Sequence, residues 1–280
     1  MEKPLQINIR KVFADKNPKL AGALPAFIFR FIEKVIHQEE MNEFLRTHGH
    51  KQGIEFLDEA IAQFNINIVI EGTENLPANG RQLFAANHPL GGFDGLVILQ
   101  ALHKKYGSSK AMVNDLLMNI SNLRPFFLPL NKHGSNSRLS AQLIDEALAS
   151  DVPIITFPSG IVARKVRGVI TEPEWKKSFI TKAIQSRRDI VPIYCMARNS
   201  NQFYNIAIAR KFFFIKANLE MFLLPDEMFR QRNKTIVLRI GHPIKWQDLD
   251  NSKTPTQWAE EIKQTVYSMA SPTIKKGIGM

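Results

Sequence analysis

The apolar positions of the chain follow two different periods that change over near residue 65. Before it, 25–37 (PAFIFRFIEKVIH) is apolar at most positions, with charges at Arg30, Glu33 and Lys34. Phe44, Leu45, Phe56, Leu57, Ile61 and Phe64 then recur at helical spacing through 39–64, so residues 1–65 predict a helical segment. After it, short β-branched or fully apolar runs alternate with amphipathic stretches. Strands are expected at 66–71, 82–86, 111–114, 126–130, 152–157, 190–197 and 235–241, and helices at 95–106, 116–122, 137–150, 174–186 and 255–268. Strands alternating with helices predict an α/β domain over 66–270, built on a mixed, largely parallel sheet flanked by helices. The helical segment 1–65 is expected to pack on it, and 271–280 to form a flexible tail.

Within this pattern one turn carries chemistry. Residues 87–95 (NHPLGGFDG) follow the buried strand end 83–86 and set His88 and Asp94 six positions apart in a glycine-rich connection. A histidine oriented by a carboxylate is a general base at neutral pH, able to take a proton from a hydroxyl or amine that then attacks an acyl carbonyl. A structural turn histidine is the plainer alternative.

Charge narrows the partners. The chain has 37 Lys and Arg against 26 Asp and Glu, a net charge of +11 over 280 residues, which calls for an anionic partner. Its aromatic content is 19 Phe against 4 Tyr and 3 Trp, with no stacking motif, paired Cys/His spacing or helix-turn-helix pattern. Nucleic acid is therefore not the expected partner; an anionic membrane surface or an acidic carrier is. Two segments, 27–32 and 211–224, join apolar bulk to cationic flanks as interfacial helices do, though core helices use the same residues. No run of about 18 apolar residues predicts a transmembrane helix, and 1–16 lacks a secretory pattern. The single cysteine, Cys195, excludes an internal disulfide and a cysteine-rich metal site, and its apolar neighbours predict a buried thiol. No metal is implied.

Residues 87–95 resemble the first block of the glycerolipid acyltransferase superfamily, the relatives of lysophosphatidate acyltransferase. That block has His and Asp separated by four residues; here five lie between them, and Gly91 and Gly92 are expected to absorb the extra one. The wording is similar to the bacterial branch that makes ornithine and glycine lipids. About 70 residues on, Phe157-Pro158-Ser159-Gly160 resembles the family's second characteristic block with Ser159 in place of its Glu, and Arg164 falls where that block ends in arginine. The segments 126–132, 172–179 and 191–194 also resemble family blocks, and Trp175 and Phe179 are expected on one helix face against the core.

The resemblance implies an acyltransferase-like fold and transfer of a fatty acyl group from an acyl carrier protein or coenzyme A thioester, as substrate rather than cofactor. The acceptor would be the hydroxyl or amine of a lipid precursor, either an amino-acid lipid (glycine or ornithine) or lysophosphatidate. His88 and Asp94 would be catalytic. Asn87, Gly91, Gly92, Phe157, Pro158, Ser159, Gly160, Arg164, Lys165 and Arg167 would bind substrate, with oxyanion donors near Gly160 or in the Gly91-Gly92 turn. The expected location is peripheral, on the cytoplasmic face of a membrane. A non-catalytic protein that binds anionic lipid is the alternative.

Overall fold

The computed structural model describes residues 6–16, 18–114, 117–130, 137–215 and 218–270. Asn131 and Lys132 of the third block, Leu116, Lys216 and the tail from 271 lie outside them. The chain divides into two compact units, each discontinuous in sequence: 1–66 with 199–234, and 67–198 with 235–280. The α/β domain expected over 66–270 thus yields 199–234 to the unit that holds the N-terminal helices.

The first unit holds α1 (Ile9–Lys16), α2 (Pro18–Ala23), α3 (Ala26–Val35), α4 (Gln38–His48) and α5 (Gly53–Ala62), joined by α9 (Asn201–Phe212) and α10 (Leu224–Phe229) from later in the chain. The helical period through 39–64 is cut in two by a short connection after His48. His37 links α3 to α4 in the left-handed region, at φ 52°. Its Nδ1 meets Glu40 Oε1 at 2.7 Å, its Nε2 meets Asp226 Oδ1 at 3.0 Å, and its ring stacks on Phe229 at 4.0 Å.

The second unit carries β1 (Asn67–Glu71), β2 (Gln82–Ala86), α6 (Gly92–Tyr106), β3 (Lys110–Val113), β4 (Phe127–Pro129), α7 (Ser137–Ala149), β5 (Ile154–Thr156), β6 (Arg164–Val166), β7 (Val169–Thr171), α8 (Ser178–Ser186), β8 (Asp189–Met196), β9 (Thr235–Ile240) and α11 (Pro255–Ser268). The main sheet has the order β1-β9-β8-β2-β5-β3-β4. Every described pairing in it is parallel except β8 with β9, so the mixed, largely parallel sheet expected from the sequence is present. β2 is buried at all five positions, as a central parallel strand covered on both faces must be. Leu83 and Ala85 join the core under α7, α8 and α11, and Phe84 turns to the other face, where its ring meets Tyr106 of α6.

Three local outcomes differ from the sequence pattern. The helix expected from residue 95 begins at Gly92, so Asp94 lies in its first turn. The helix expected over 116–122 is replaced by 3-10 turns, because Pro125 interrupts the segment Ser121–Phe126. The basic stretch after Gly160 forms a hairpin, β6–β7, whose two turn residues Arg167 and Gly168 have φ 49° and 85°, the two positive angles a tight hairpin turn requires.

Arg188 shows what the sheet asks of its edges. It is fully buried, and its guanidinium donates to the carbonyls of Gln82, Ala147, Leu148, Ser150 and Val152. It thereby closes the C-terminal end of α7 against the starts of β2 and β5. Burial lowers its pKa to about 10, with Arg81 adding to the shift.

Candidate active site

β2, β5 and β8 run parallel, so their carboxyl ends share one edge of the sheet, the edge at which open α/β sheets form sites. β2 ends into 87–91, β5 into Phe157-Pro158-Ser159-Gly160, and β8 at Cys195 and Met196.

The extra residue between His88 and Asp94 does not keep them apart. Gly91 takes φ 78° and ψ −137° as the N-cap of α6, a backbone conformation open to glycine and costly for any side chain. The turn brings Asp94 back under the loop. Its Oδ1 accepts from His88 Nδ1 at 2.9 Å and its Oδ2 from the Leu90 N–H at 2.7 Å. Asp94 is fully buried, in the first turn of a helix, where a carboxylate meets the positive end of the dipole. With Nδ1–H committed to Asp94, His88 Nε2 has the lone pair, and no described residue occupies it. Burial disfavours the imidazolium, yet the charge and hydrogen bond of Asp94, with the charge of Glu172, outweigh it and raise the His88 pKa; Arg164 opposes them.

The loop is tied from three sides. Asn87 holds its base: its Nδ2 donates to Cys195 O at 3.1 Å, and its Oδ1 accepts from Cys195 N–H at 2.6 Å. The side chain thus mimics one more rung between β2 and β8. Both ends of its amide are bonded to main chain, which gives Asn87 a bracing role. The His88 carbonyl accepts from Ala163 N–H at 2.9 Å. Its N–H donates to Glu172 Oε1.

The second block packs on the first. The Phe157 ring lies 4.3 Å from the His88 ring and against Gly95, where an added Cβ would come within 3.5 Å of it. Ser159, buried, donates to Ile161 O at 2.9 Å. Gly160 sits at φ 65° beneath the Lys176 ammonium. Its N–H donates to Phe157 O, and Gly92 is exposed at the start of α6.

The three bases separate. Arg164 is buried, donates to Val162 O at 2.7 Å and Ala163 O at 3.3 Å, and acts on His88 through its charge. Lys165 points to the opposite face of the hairpin, and Arg167 is exposed at its tip; neither has a described contact with His88 or Asp94. Trp175 and Phe179 both reach the core, 5.9 Å apart, but Trp175 precedes α8 rather than sharing it.

Glu172 is the residue the spacing did not reveal. Its position 84 residues from His88 gives no local signal. The carboxylate is buried, with Oε2 accepting from Trp175 Nε1 at 2.7 Å, and Lys263 Nζ lies on its main-chain oxygen at 3.1 Å. Burial holds its pKa above the ordinary carboxylate range against the hydrogen bonds from Trp175 and His88. Cys195 is buried as expected, and burial, with the charge of Asp94, pushes its thiol well up. No group of residues able to hold a metal ion occurs among the described residues.

Among known proteins, the chain is 43% identical over 264 residues to a lyso-glycine lipid O-acyltransferase of Phocaeicola vulgatus, covering 94% of this chain and 95% of that one. It is 42% identical over 264 residues to the protein of that name from Bacteroides thetaiotaomicron, covering 94% and 97%. The crystal structure of the 1-acyl-sn-glycerophosphate acyltransferase PlsC from Thermotoga maritima aligns at a TM-score of 0.49 with 18% identity, over 78% of each chain. A family model described as Acyltransferase matches residues 11–273. With a match of that extent and two relatives of that identity, the chain belongs to this acyltransferase family, and it is an enzyme that transfers acyl groups rather than a non-catalytic lipid-binding protein.

Proposed function

We propose that the enzyme O-acylates a lyso-glycine lipid with His88 as general base. The observation that carries the chemistry is the 2.9 Å bond from His88 Nδ1 to Asp94, which leaves Nε2 to accept a proton. The acceptor rests on the two relatives, similar to this chain over 94% of its length. His88 Nε2 takes the proton of the acceptor hydroxyl as its oxygen attacks the thioester carbonyl. Asp94 keeps the imidazole in the Nδ1–H tautomer and balances the imidazolium. The tetrahedral oxyanion is met at the N-terminus of α6, with the Gly92 N–H as donor. On collapse the acyl–sulfur bond breaks, the ester remains, and the imidazolium returns its proton to the leaving thiolate. The donor is a thioester of acyl carrier protein or coenzyme A. An acidic carrier suits the +11 charge.

The same reading puts the enzyme at an anionic bilayer surface, on the cytoplasmic face. No described helix is long and apolar enough to cross a membrane. In the first unit Phe27 and Phe31 of α3 are exposed, as are Phe212, Phe213 and Phe214 at the end of α9, at 75%, 67% and 91%. The fully buried Glu220 pairs with Arg210 at 2.8 Å and 3.2 Å and so fixes the connection that presents these rings. Aromatic rings beside Arg30, Lys34 and Lys211 suit a headgroup interface.

The test offers the purified enzyme acyl carrier protein and coenzyme A thioesters with lyso-glycine lipid, lyso-ornithine lipid and lysophosphatidate, and reads products by mass spectrometry. Acylated glycine lipid as the main product is expected. A dominant phosphatidate product would overturn the acceptor while leaving the base in place.

A further inference from the structure

We propose that Glu172 is a positioning residue for the acyl-transfer reaction, a second carboxylate that sets His88 from its main-chain side while Asp94 sets it from the ring. The proposal rests on His88 being the general base. Asp94 fixes the Nδ1 edge of the imidazole and, through Leu90 N–H, the far side of the turn. It does not reach the point where the chain enters the turn, which Asn87 and Ala163 brace through main chain. Glu172 Oε1 takes the N–H of His88 itself, so the residue is gripped by one carboxylate at its backbone and another at its ring.

Glu172 is in turn held rigidly. Trp175, fully buried, donates its indole N–H to Oε2, and Lys263 of α11 holds the main chain of Glu172. Two N–H donors, of His88 and Trp175, one on each oxygen of the buried carboxylate, match its ionised form. That charge acts on the imidazole with the same sign as Asp94 and against Arg164. The titratable groups facing this pair are therefore Asp94 from α6, Arg164 from β6, and Tyr267 and Lys263 from α11. A buried carboxylate is expensive to keep. Core packing alone would be served as well by an apolar residue beside Trp175, but an apolar residue would leave the His88 N–H without an acceptor.

The experiment compares wild type, Glu172→Gln, Glu172→Asp and His88→Asn in the full-length enzyme. It reads kcat, both KM values, melting temperature, and the His88 imidazole titration by NMR of labelled histidine. Glu172→Gln removes the charge and leaves one acceptor oxygen where the N–H groups of His88 and Trp175 each had one. Its kcat is expected to fall on the order of 10- to 100-fold, with each KM held within about twofold, as misplacement of a reacting group by an ångström does. The His88 titration moves to lower pH, and the acid limb of kcat/KM follows it. Glu172→Asp keeps the charge on a shorter arm, so kcat falls while the titration stays near wild type. A folded Glu172→Gln enzyme with unchanged kcat, or one whose kcat falls while the His88 titration stays put, overturns the proposal. If Glu172→Gln does not fold, Glu172→Asp decides: wild-type kcat overturns the proposal, and reduced kcat at a preserved melting temperature supports it. Turnover surviving in His88→Asn would instead overturn the general-base reading, whatever Glu172 does.

Discussion

Two of the described histidines are held by carboxylates at hydrogen-bond distance, and they are built for opposite ends. His37, in the helical unit, spends both ring nitrogens, on Glu40 and Asp226, and lies flat on Phe229. His88, in the α/β unit, spends only Nδ1, on Asp94, and leans at an angle on Phe157. A histidine bonded at both nitrogens is a cross-link between helices. A histidine bonded at one is a base with a fixed tautomer. Proximity of a carboxylate therefore does not separate catalysis from structure; the nitrogen left over does.

Replacing the rings breaks the comparison most sharply. Removing His88 is expected to cut kcat by about 10²- to 10⁴-fold, the share a general base supplies. His88→Asn is the cleaner form, because its amide can still donate to Asp94. His88→Ala leaves one oxygen of a fully buried carboxylate without a donor and adds a stability cost of about 1–3 kcal/mol. Rate assays beside thermal melts separate the two effects, and wild-type turnover in His88→Asn ends the comparison. Next in size, Asp94→Asn should lower kcat by about 10²-fold or more, because the ring loses the acceptor that selects its tautomer. The acid limb should move to lower pH as the nearest negative charge is lost.

The pH profile of the wild type sharpens the contrast without mutation. The working form of His88 is the neutral ring, and its pKa is raised, so the acid limb of kcat/KM is expected above the ordinary imidazole value of about 6.5. The same shift has a sign for folding. A group whose folded pKa lies above its unfolded one lends stability that is complete below the unfolded value and is lost as pH climbs through the folded one. Stability from the His88–Asp94 pair should thus fade as the base becomes active. Around His37 the direction reverses. The His37 hydrogen bond lowers the Glu40 pKa, and at Asp226 the bonds from His37 and Arg230 overcome burial to lower it too. Their contribution is present above the unfolded carboxylate values and is lost as pH falls through the folded ones. An acid limb below 6, or melting that is insensitive to acid in a His37→Ala background and in wild type alike, would blur the two roles.

Smaller still, His37→Ala should cost about 1–2 kcal/mol through two lost hydrogen bonds and a stack, with turnover on a detergent-dispersed acceptor unchanged. Smallest in solution is Phe214→Asp, on a ring that is 91% exposed. It should leave melting and detergent assays alone and weaken binding to vesicles that contain anionic lipid. Equal vesicle binding by variant and wild type would remove Phe214 from the proposed membrane face.

Much of the site was legible because it is local. His88, Gly91, Gly92 and Asp94 lie within seven residues, and strand-turn-helix patterning says where they point. Phe157 was legible as the end of the strand expected over 152–157 and through the resemblance of 157–160 to a family block. What stayed hidden was set by distance or by alternatives of similar energy. Glu172 meets His88 across 84 residues, and no period encodes that. Arg164, Lys165 and Arg167 read as one basic loop until the Arg167-Gly168 turn separates them onto two faces and a tip. The bracing role of Asn87 was hidden too, because its partner Cys195 lies 108 residues away. The segment 199–234 is apolar and aromatic with Lys and Arg scattered through it, which fits either unit, and only long-range contacts decide.

The pairing of Asn87 with Cys195 has a further consequence. It seats the only sulfhydryl of the chain at the foot of the catalytic loop, with Asp94 close enough to act on it. An enzyme that handles activated thioesters runs a standing risk of self-acylation, since a reactive thiolate next to a base would divert the acyl group by thioester exchange. Here the sulfur is sealed under the strand and kept in its proton-bearing form. The same burial is expected to keep Cys195 unreactive toward maleimides, oxidants and the acyl donor alike.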